Sequence, residues 1–272
     1  MKRWGQVFLT DKRVALDIVT AASLTKNDRV IEIGPGRGVM TNLMAPLVQQ
    51  LIAVEIDPRL AQGLQADFRQ QPGVIILRQD IMRYQLPAEL LDGPFKVIAN
   101  LPYYITSPII FQLLDWHHTN PEFKKVIIMV QEEVAQRLAA DPESKDYGVL
   151  SIMVQFYAEV RIVRLVPASC FTPVPKVDSA VIEIEFLPRP REKVPSVTTF
   201  KKVVKAAFAQ RRKTILNSLK HNYGINVDLL DLSLKEAGIE PGRRAETLSI
   251  AEFARLTEAI YESCKTSTDD QQ

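Results

Sequence analysis

Glu32-Ile33-Gly34-Pro35-Gly36-Arg37-Gly38 follows directly on the strand-like run from Arg29 to Ile33 and precedes a helical stretch reaching about Leu47. Strand, glycine turn and helix in that order describe the cofactor loop of an open α/β sheet, where the absence of Cβ atoms lets the backbone approach a ligand. The spacing of the glycines selects the ligand. A dinucleotide fingerprint, G-x-G-x-x-G, needs glycine at position 39, which is Val39. The third glycine comes one residue early, and a glutamate opens the turn. Such an E-x-G-x-G-x-G turn suits S-adenosylmethionine, which has no pyrophosphate to cradle. For these seven residues by themselves, a tight structural turn is the alternative.

Working outward, Leu51 to Ile56 reads as a second strand and ends in Glu55, with Asp57 beyond. A carboxylate at the second strand's end, roughly 20 residues past the glycine turn, is placed to take both hydroxyls of a ribose. Pro58 opens a helix at its favoured first turn. Val74 to Leu77 is a third strand, followed by Asp80 and Ile81, an acid that can accept an adenine amino group and an apolar side chain that can pack on the ring. Val97 to Ala99 is a buried run leading into Asn100-Leu101-Pro102-Tyr103. Pro102 keeps Leu101 out of helical dihedrals, so its carbonyl has no helical partner and can accept from a ligand. Asn100 adds a second neutral acceptor. Two acceptors holding the hydrogens of an exocyclic amine favour a pyramidal nitrogen and stabilise the charge that develops as it attacks a methyl group. The Tyr103 ring offers a stacking face, and Phe171, between prolines and strands further on, is placed to close over the other face of the base.

Later strands are expected at Lys124 to Val130, Glu159 to Val166 and Ala180 to Phe186, with helices between. Seven strands alternating with helices predict a doubly wound, mostly parallel, Rossmann-like sheet. The last two strands are joined by a loop too short for a helical crossover, so the last is expected antiparallel. Leu187 to Arg191 reads as a linker. Beyond it only helical patterns occur. The expected organisation is a catalytic α/β domain over 1–188, a smaller all-α domain over 189–265, and a disordered polar tail over 266–272.

The chain has 272 residues and a net charge of +2, distributed unevenly. Residues up to Pro188 sum to −2 and those from Arg189 onward to +4. Between Arg189 and Gly224 stand 10 basic residues and one acid, Glu192. Such a run fits a phosphate-tracking surface, with Arg211, Arg212 and Lys213 as the candidate phosphate contacts. The two cysteines, Cys170 and Cys264, have neither disulfide-framework nor zinc-site spacing, and no metal site is expected. No signal peptide and no run of eighteen apolar residues is present, so a cytoplasmic protein that does not engage a membrane is expected.

Taken together, these stretches resemble the ribosomal RNA adenine N6,N6-dimethyltransferases, most closely the small-subunit (16S) enzymes of the KsgA type. The carriers are Gly5-Gln6 with Phe8-Leu9, Glu32 to Gly38, Val54 to Asp57, Asp80, Asn100 to Tyr103, Ser144 to Gly148, Pro173 to Val181, Phe208 with Gln210 to Thr214, and Arg244 to Leu248. The resemblance implies a class I S-adenosylmethionine-dependent methyltransferase that leaves S-adenosylhomocysteine as product. It adds Gln6, Val7 and Leu9 to a cofactor set of Gly34, Gly36, Glu55, Ile56, Asp80, Ile81 and Asn100. It also implies a monomer acting on two adjacent adenines near the 3′ end of small-subunit rRNA in the assembling 30S subunit. Position 7, usually Asn or His in such enzymes, is Val7, which leaves only a backbone contact there. The competing readings are a large-subunit rRNA methyltransferase conferring antibiotic resistance, a DNA adenine methyltransferase, and a non-catalytic ribosome-assembly factor.

Overall fold

The run from Val30 to Ile33 is buried on both faces, as expected of a strand covered by helices on two sides. It lies in a computed structural model that describes residues 7–86 and 93–269. Contacts between Cα atoms divide the chain into two units. The first takes residues up to Ala135 together with Ala158–Pro188, and the second takes Gln136–Tyr157 together with the chain from Arg189 onward.

The strands of the first unit, in chain order, are β1 (Phe8–Leu9), β2 (Arg29–Ile33), β3 (Gln50–Glu55), β4 (Val74–Arg78), β5 (Phe95–Asn100), β6 (Phe123–Gln131), β7 (Ala158–Val166), β8 (Phe171–Thr172) and β9 (Ser179–Phe186). Seven of them form one sheet in the order β4-β3-β2-β5-β6-β9-β7. β2 runs parallel to β3 and β5, β3 to β4, and β5 to β6. β9 is antiparallel to both neighbours, as the short connection from β7 requires. The strand order turns about β2 and β5, and at such a reversal the carboxyl ends of parallel strands open a crevice.

The helices of this unit are α1 (Lys12–Ala21), α2 (Val39–Met44), α3 (Pro58–Asp67) and α4 (Thr106–Thr119). α1 starts where Asp11 accepts from the Arg13 N–H, and α3 where Asp57 accepts from the Arg59 N–H ahead of Pro58. The apolar face of α1, with Val14, Ile18 and Val19, packs in one core with Met40, Met44, Leu51, Ile98, Ile127 and Met129. That core fixes the sheet from which the site projects. α5 (Glu132–Leu138) follows β6.

The second unit contains α6 (Val149–Gln155), α7 (Val197–Phe208), α8 (Ile215–Asn222), α9 (Val227–Glu236) and α10 (Ile250–Asp269). Ser196, Thr214 and Asn226 cap α7, α8 and α9 through their side-chain oxygens. Phe156, just past α6, stacks on Phe200 of α7 with ring centroids 4.5 Å apart, and Tyr147 meets Phe208 edge-on at 6.3 Å. Two expectations change here. The segment 136–157, placed by sequence in the first domain, clusters with the second unit because its aromatic residues find their partners there. The tail expected to be disordered from 266 is helical through Asp269, since α10 propagates past its last apolar turn at one hydrogen bond per residue. Among the described residues, no helix is long and apolar enough to cross a membrane.

Candidate active site

The carboxyl ends of β2, β3, β4 and β5 surround a partly open cleft, the place where an open sheet of this kind takes its ligand. The glycine turn forms one wall. Gly34 and Gly36 have φ of 67° and 59°, a backbone region that side chains resist. At Gly36 an added Cβ would come within 3.3 Å of the Phe8 ring, so the turn is closed on that side by β1. The Gly34 N–H donates to the Val54 carbonyl at 2.9 Å, tying the turn to the tip of β3.

Glu32, which opens the turn, supports it from beneath. Its side chain is 0% exposed, and one carboxyl oxygen accepts from the Thr41 hydroxyl at 2.7 Å while the other has no partner among the described residues. Burial, seconded by the nearby Glu55, pushes its pKa up to about 8, so the group is largely a neutral acid at pH 7.

Glu55 lines the cleft and is 4% exposed. Its oxygens accept from the Gly36 N–H at 3.0 Å and the Asp57 N–H at 2.8 Å. Burial raises its pKa against these hydrogen bonds. Each oxygen keeps acceptor capacity for a hydroxyl pair. Ile56 follows on the same wall. Asp80 caps a short 3₁₀ turn through the Met82 N–H and lines the cleft beside Ile81.

The opposite wall is the end of β5. The Leu101 N–H donates to the Met129 carbonyl at 3.0 Å, and the Leu101 side chain is 1% exposed, so this peptide is anchored from both sides. The Asn100 amide N–H donates to the Val7 carbonyl at 3.3 Å. Among the described residues, no hydrogen bond ends on Asn100 Oδ1 or on the Leu101 carbonyl. Two acceptors in the lining are thus open. Tyr103, half-buried at the rim, is oriented by a 2.9 Å hydrogen bond between its hydroxyl and Ser179 Oγ.

The structure therefore gathers Val7, Leu9, Gly34, Gly36, Glu55, Ile56, Asp80, Ile81, Asn100, Leu101 and Tyr103 around one cleft. Gln6 lies outside the described residues. Phe171 is a correction. Its side chain is 2% exposed and packs in the core with Leu9, Val14 and Val181, because β8 pairs antiparallel with β1, Leu9 opposite Phe171. It is not among the residues that line the cleft. Phe8 and Arg37, which the sequence marks only as carriers of the resemblance, also line the cleft; Phe8 sits in the two-residue β1, too short to show periodicity, and Arg37 in the glycine turn. In the second unit, Arg211, Arg212 and Lys213 are exposed in the connection between α7 and α8, and Arg211 donates to the Lys145 carbonyl at 2.5 Å.

The donor set fits an adenosine ligand: a carboxylate for a diol, an acid and an apolar side chain for adenine, and a glycine backbone for close approach. Among the described residues, no cluster of His, Cys, Asp or Glu could hold a metal. A sheet of this order with one antiparallel strand, and a site at the tips of its parallel strands, is that of a class I methyltransferase. The chain belongs to the ribosomal RNA adenine dimethylase family, whose model matches residues 1–262.

Among curated relatives, the ribosomal RNA small subunit methyltransferase A of Syntrophotalea carbinolica is 47% identical over 259 residues, covering 95% of this chain and 96% of the relative. The protein of the same name from Clostridium perfringens is 44% identical over 260 residues, covering 95% and 90%. Among solved structures, a dimethyladenosine transferase from Plasmodium falciparum superposes with a TM-score of 0.80 at 25% identity, covering 94% of this chain and 98% of that one. The 23S rRNA methyltransferase ErmE gives 0.70 at 27%, covering 93% and 99%.

Proposed function

We propose that this protein transfers methyl groups from S-adenosylmethionine to N6 of two adjacent adenines near the 3′ end of small-subunit rRNA, giving N6,N6-dimethyladenines, on the assembling small subunit. The observation that carries this reading is the pair of open acceptors, Asn100 Oδ1 and the Leu101 carbonyl, fixed at the cleft beside an aromatic ring. The names of the two bacterial relatives support the choice of subunit.

When bound, the cofactor supplies a methyl carbon made electrophilic by its sulfonium, and the C–S bonding pair leaves with S-adenosylhomocysteine. Glu55 would hold the ribose, Asp80 and Ile81 the adenine, and the turn at Gly34 and Gly36 the remainder. The target base stacks on Tyr103, and a loop adenine costs less to extrude than a paired one. Asn100 Oδ1 and the Leu101 carbonyl accept the two N6 hydrogens, aim the nitrogen lone pair at the methyl carbon and offset the positive charge that builds on N6. The N6 proton is then lost to solvent. The monomethyl product retains one N–H, and one acceptor suffices to hold it for the second transfer. Exposed Arg212 and Lys213, with the donors Arg211 retains, would grip RNA phosphates.

The test is incubation of unmethylated small subunits with labelled cofactor, followed by mapping of the modified nucleotides. Two adjacent dimethyladenines near the 3′ end of the small-subunit rRNA are expected. Label on large-subunit rRNA instead would favour the activity named for ErmE, and no transfer to either would leave an assembly factor.

A further inference from the structure

One charged side chain in the cleft has no task in the reaction above. Arg37 stands in the glycine turn between Gly36 and Gly38, is exposed, and among the described residues is the only Lys, Arg or His in the lining. Its guanidinium carbon sits 4.7 Å from the centre of the Phe8 ring. None of its N–H groups has a hydrogen-bond partner among the described residues. Phe8 is itself held in place, since β1 is paired with β8 and the ring lies against Gly36. The guanidinium is therefore rested on an aromatic face that orients it without consuming its donors.

The other charged groups of the lining are Glu55 and Asp80. A ligand with adenosine at one end and an α-amino acid at the other brings a single anionic group, its carboxylate. Both acids repel that group, one of the two Asn100 amide N–H groups is already given to the Val7 carbonyl and the amide carries no charge, and Val7 itself offers no side-chain donor. Among the described lining residues, Arg37 alone has charge of the right sign and free N–H groups, on the wall that leads out of the turn.

We propose that Arg37 binds the α-carboxylate of the cofactor, donating charge-assisted hydrogen bonds from a guanidinium seated on Phe8. The assignment rests on the reading that the cleft takes S-adenosylmethionine. It makes the amino-acid end of the ligand, and not only its nucleoside, a determinant of affinity.

Calorimetry on the full chain tests this with two probes that differ in the amino-acid portion: S-adenosylhomocysteine, and 5′-methylthioadenosine, which lacks it. Arg37→Ala is expected to weaken S-adenosylhomocysteine roughly tenfold or more, the scale of a hydrogen bond to a charged group, while leaving methylthioadenosine within twofold. Arg37→Lys, which keeps the charge but not the fork, is expected to fall between wild type and Arg37→Ala. Unchanged S-adenosylhomocysteine binding by Arg37→Ala overturns the proposal. Equal weakening of both probes also overturns it, because the turn itself has then been damaged. Normal S-adenosylhomocysteine binding with weakened affinity for small-subunit rRNA would assign the guanidinium to substrate phosphate and overturn it as well. If the wild type binds neither probe, the cofactor reading fails first and the assignment falls with it.

Discussion

The two units handle polar chemistry in opposite ways. At the strand tips of the first, Glu32 and Glu55 are sunk almost completely, and their oxygens meet a hydroxyl and two backbone N–H groups at 2.7 to 3.0 Å. In the second, Arg212 and Lys213 stand in solvent on a connection between helices. Burying a polar group is costly unless it is bonded, so a buried one is held in a single geometry and its loss is felt in full. An exposed charge is screened, replaceable and individually weak, and acts by number. The first arrangement suits aiming an atom and the second suits following a backbone of phosphates whose sequence does not matter.

This contrast can be broken most sharply at Asn100. Replacing Asn100 by Ala removes an acceptor that acts on developing charge, and single-turnover transfer from labelled cofactor is expected to slow by about 100- to 1000-fold, with the melting temperature little changed. A loss under tenfold would mean that the strand tip does not set the reaction geometry. Glu55→Ala comes next, raising the Kd for S-adenosylhomocysteine by about 10- to 100-fold in calorimetry, as expected for a charged acceptor of two hydroxyls.

Glu32 tests burial itself. Its folded pKa of about 8 lies above the ordinary 4.5, so the folded chain keeps a proton that the unfolded chain releases. Stability contributed by the protonated acid is complete below the unfolded value and declines as pH rises towards 8, by up to about 1.4 kcal/mol per pH unit. Urea unfolding across that window should show the slope in wild type and lose it in Glu32→Gln. The smallest effect belongs to the exposed side: Lys213→Ala should weaken rRNA binding only a few-fold, lower the salt slope by about one, and leave S-adenosylhomocysteine affinity unchanged. A loss as large as that at Glu55 would show that the connection is a specific contact.

Much of the first unit was legible in the chain because its strands are buried on both faces and so read as β-branched apolar runs. Arg29–Ile33 was read to the residue, and the other six strands of the large sheet within a few residues. The residues expected at the ends of β2 to β5 do share one cleft, because an open sheet leaves only its carboxyl edge for a ligand. The burial of Phe171 was not legible, for the opposite reason. β1 and β8 pair two residues with two, Phe8 with Thr172 and Leu9 with Phe171, far apart in the chain, and no periodicity announces so short a ladder. Likewise no pattern announces that His117, in the last turn of α4, stacks on Phe186 with ring centroids 4.0 Å apart, where burial lowers its pKa. An amphipathic pattern such as that of α7 shows which face is hidden but not what hides it.

The division of the chain has a consequence for how the molecule is made. Phe156 leaves the translating machinery well before Phe200, the ring it stacks on, and the helix preceding it carries Ile152, Met153 and Val154, all buried in the finished protein. A nascent polypeptide halted after Pro188 would therefore display a greasy helix between two completed strands. Such a half-made product is a natural client for a chaperone, and a fragment ending there would make a poor stand-alone enzyme however complete its catalytic residues.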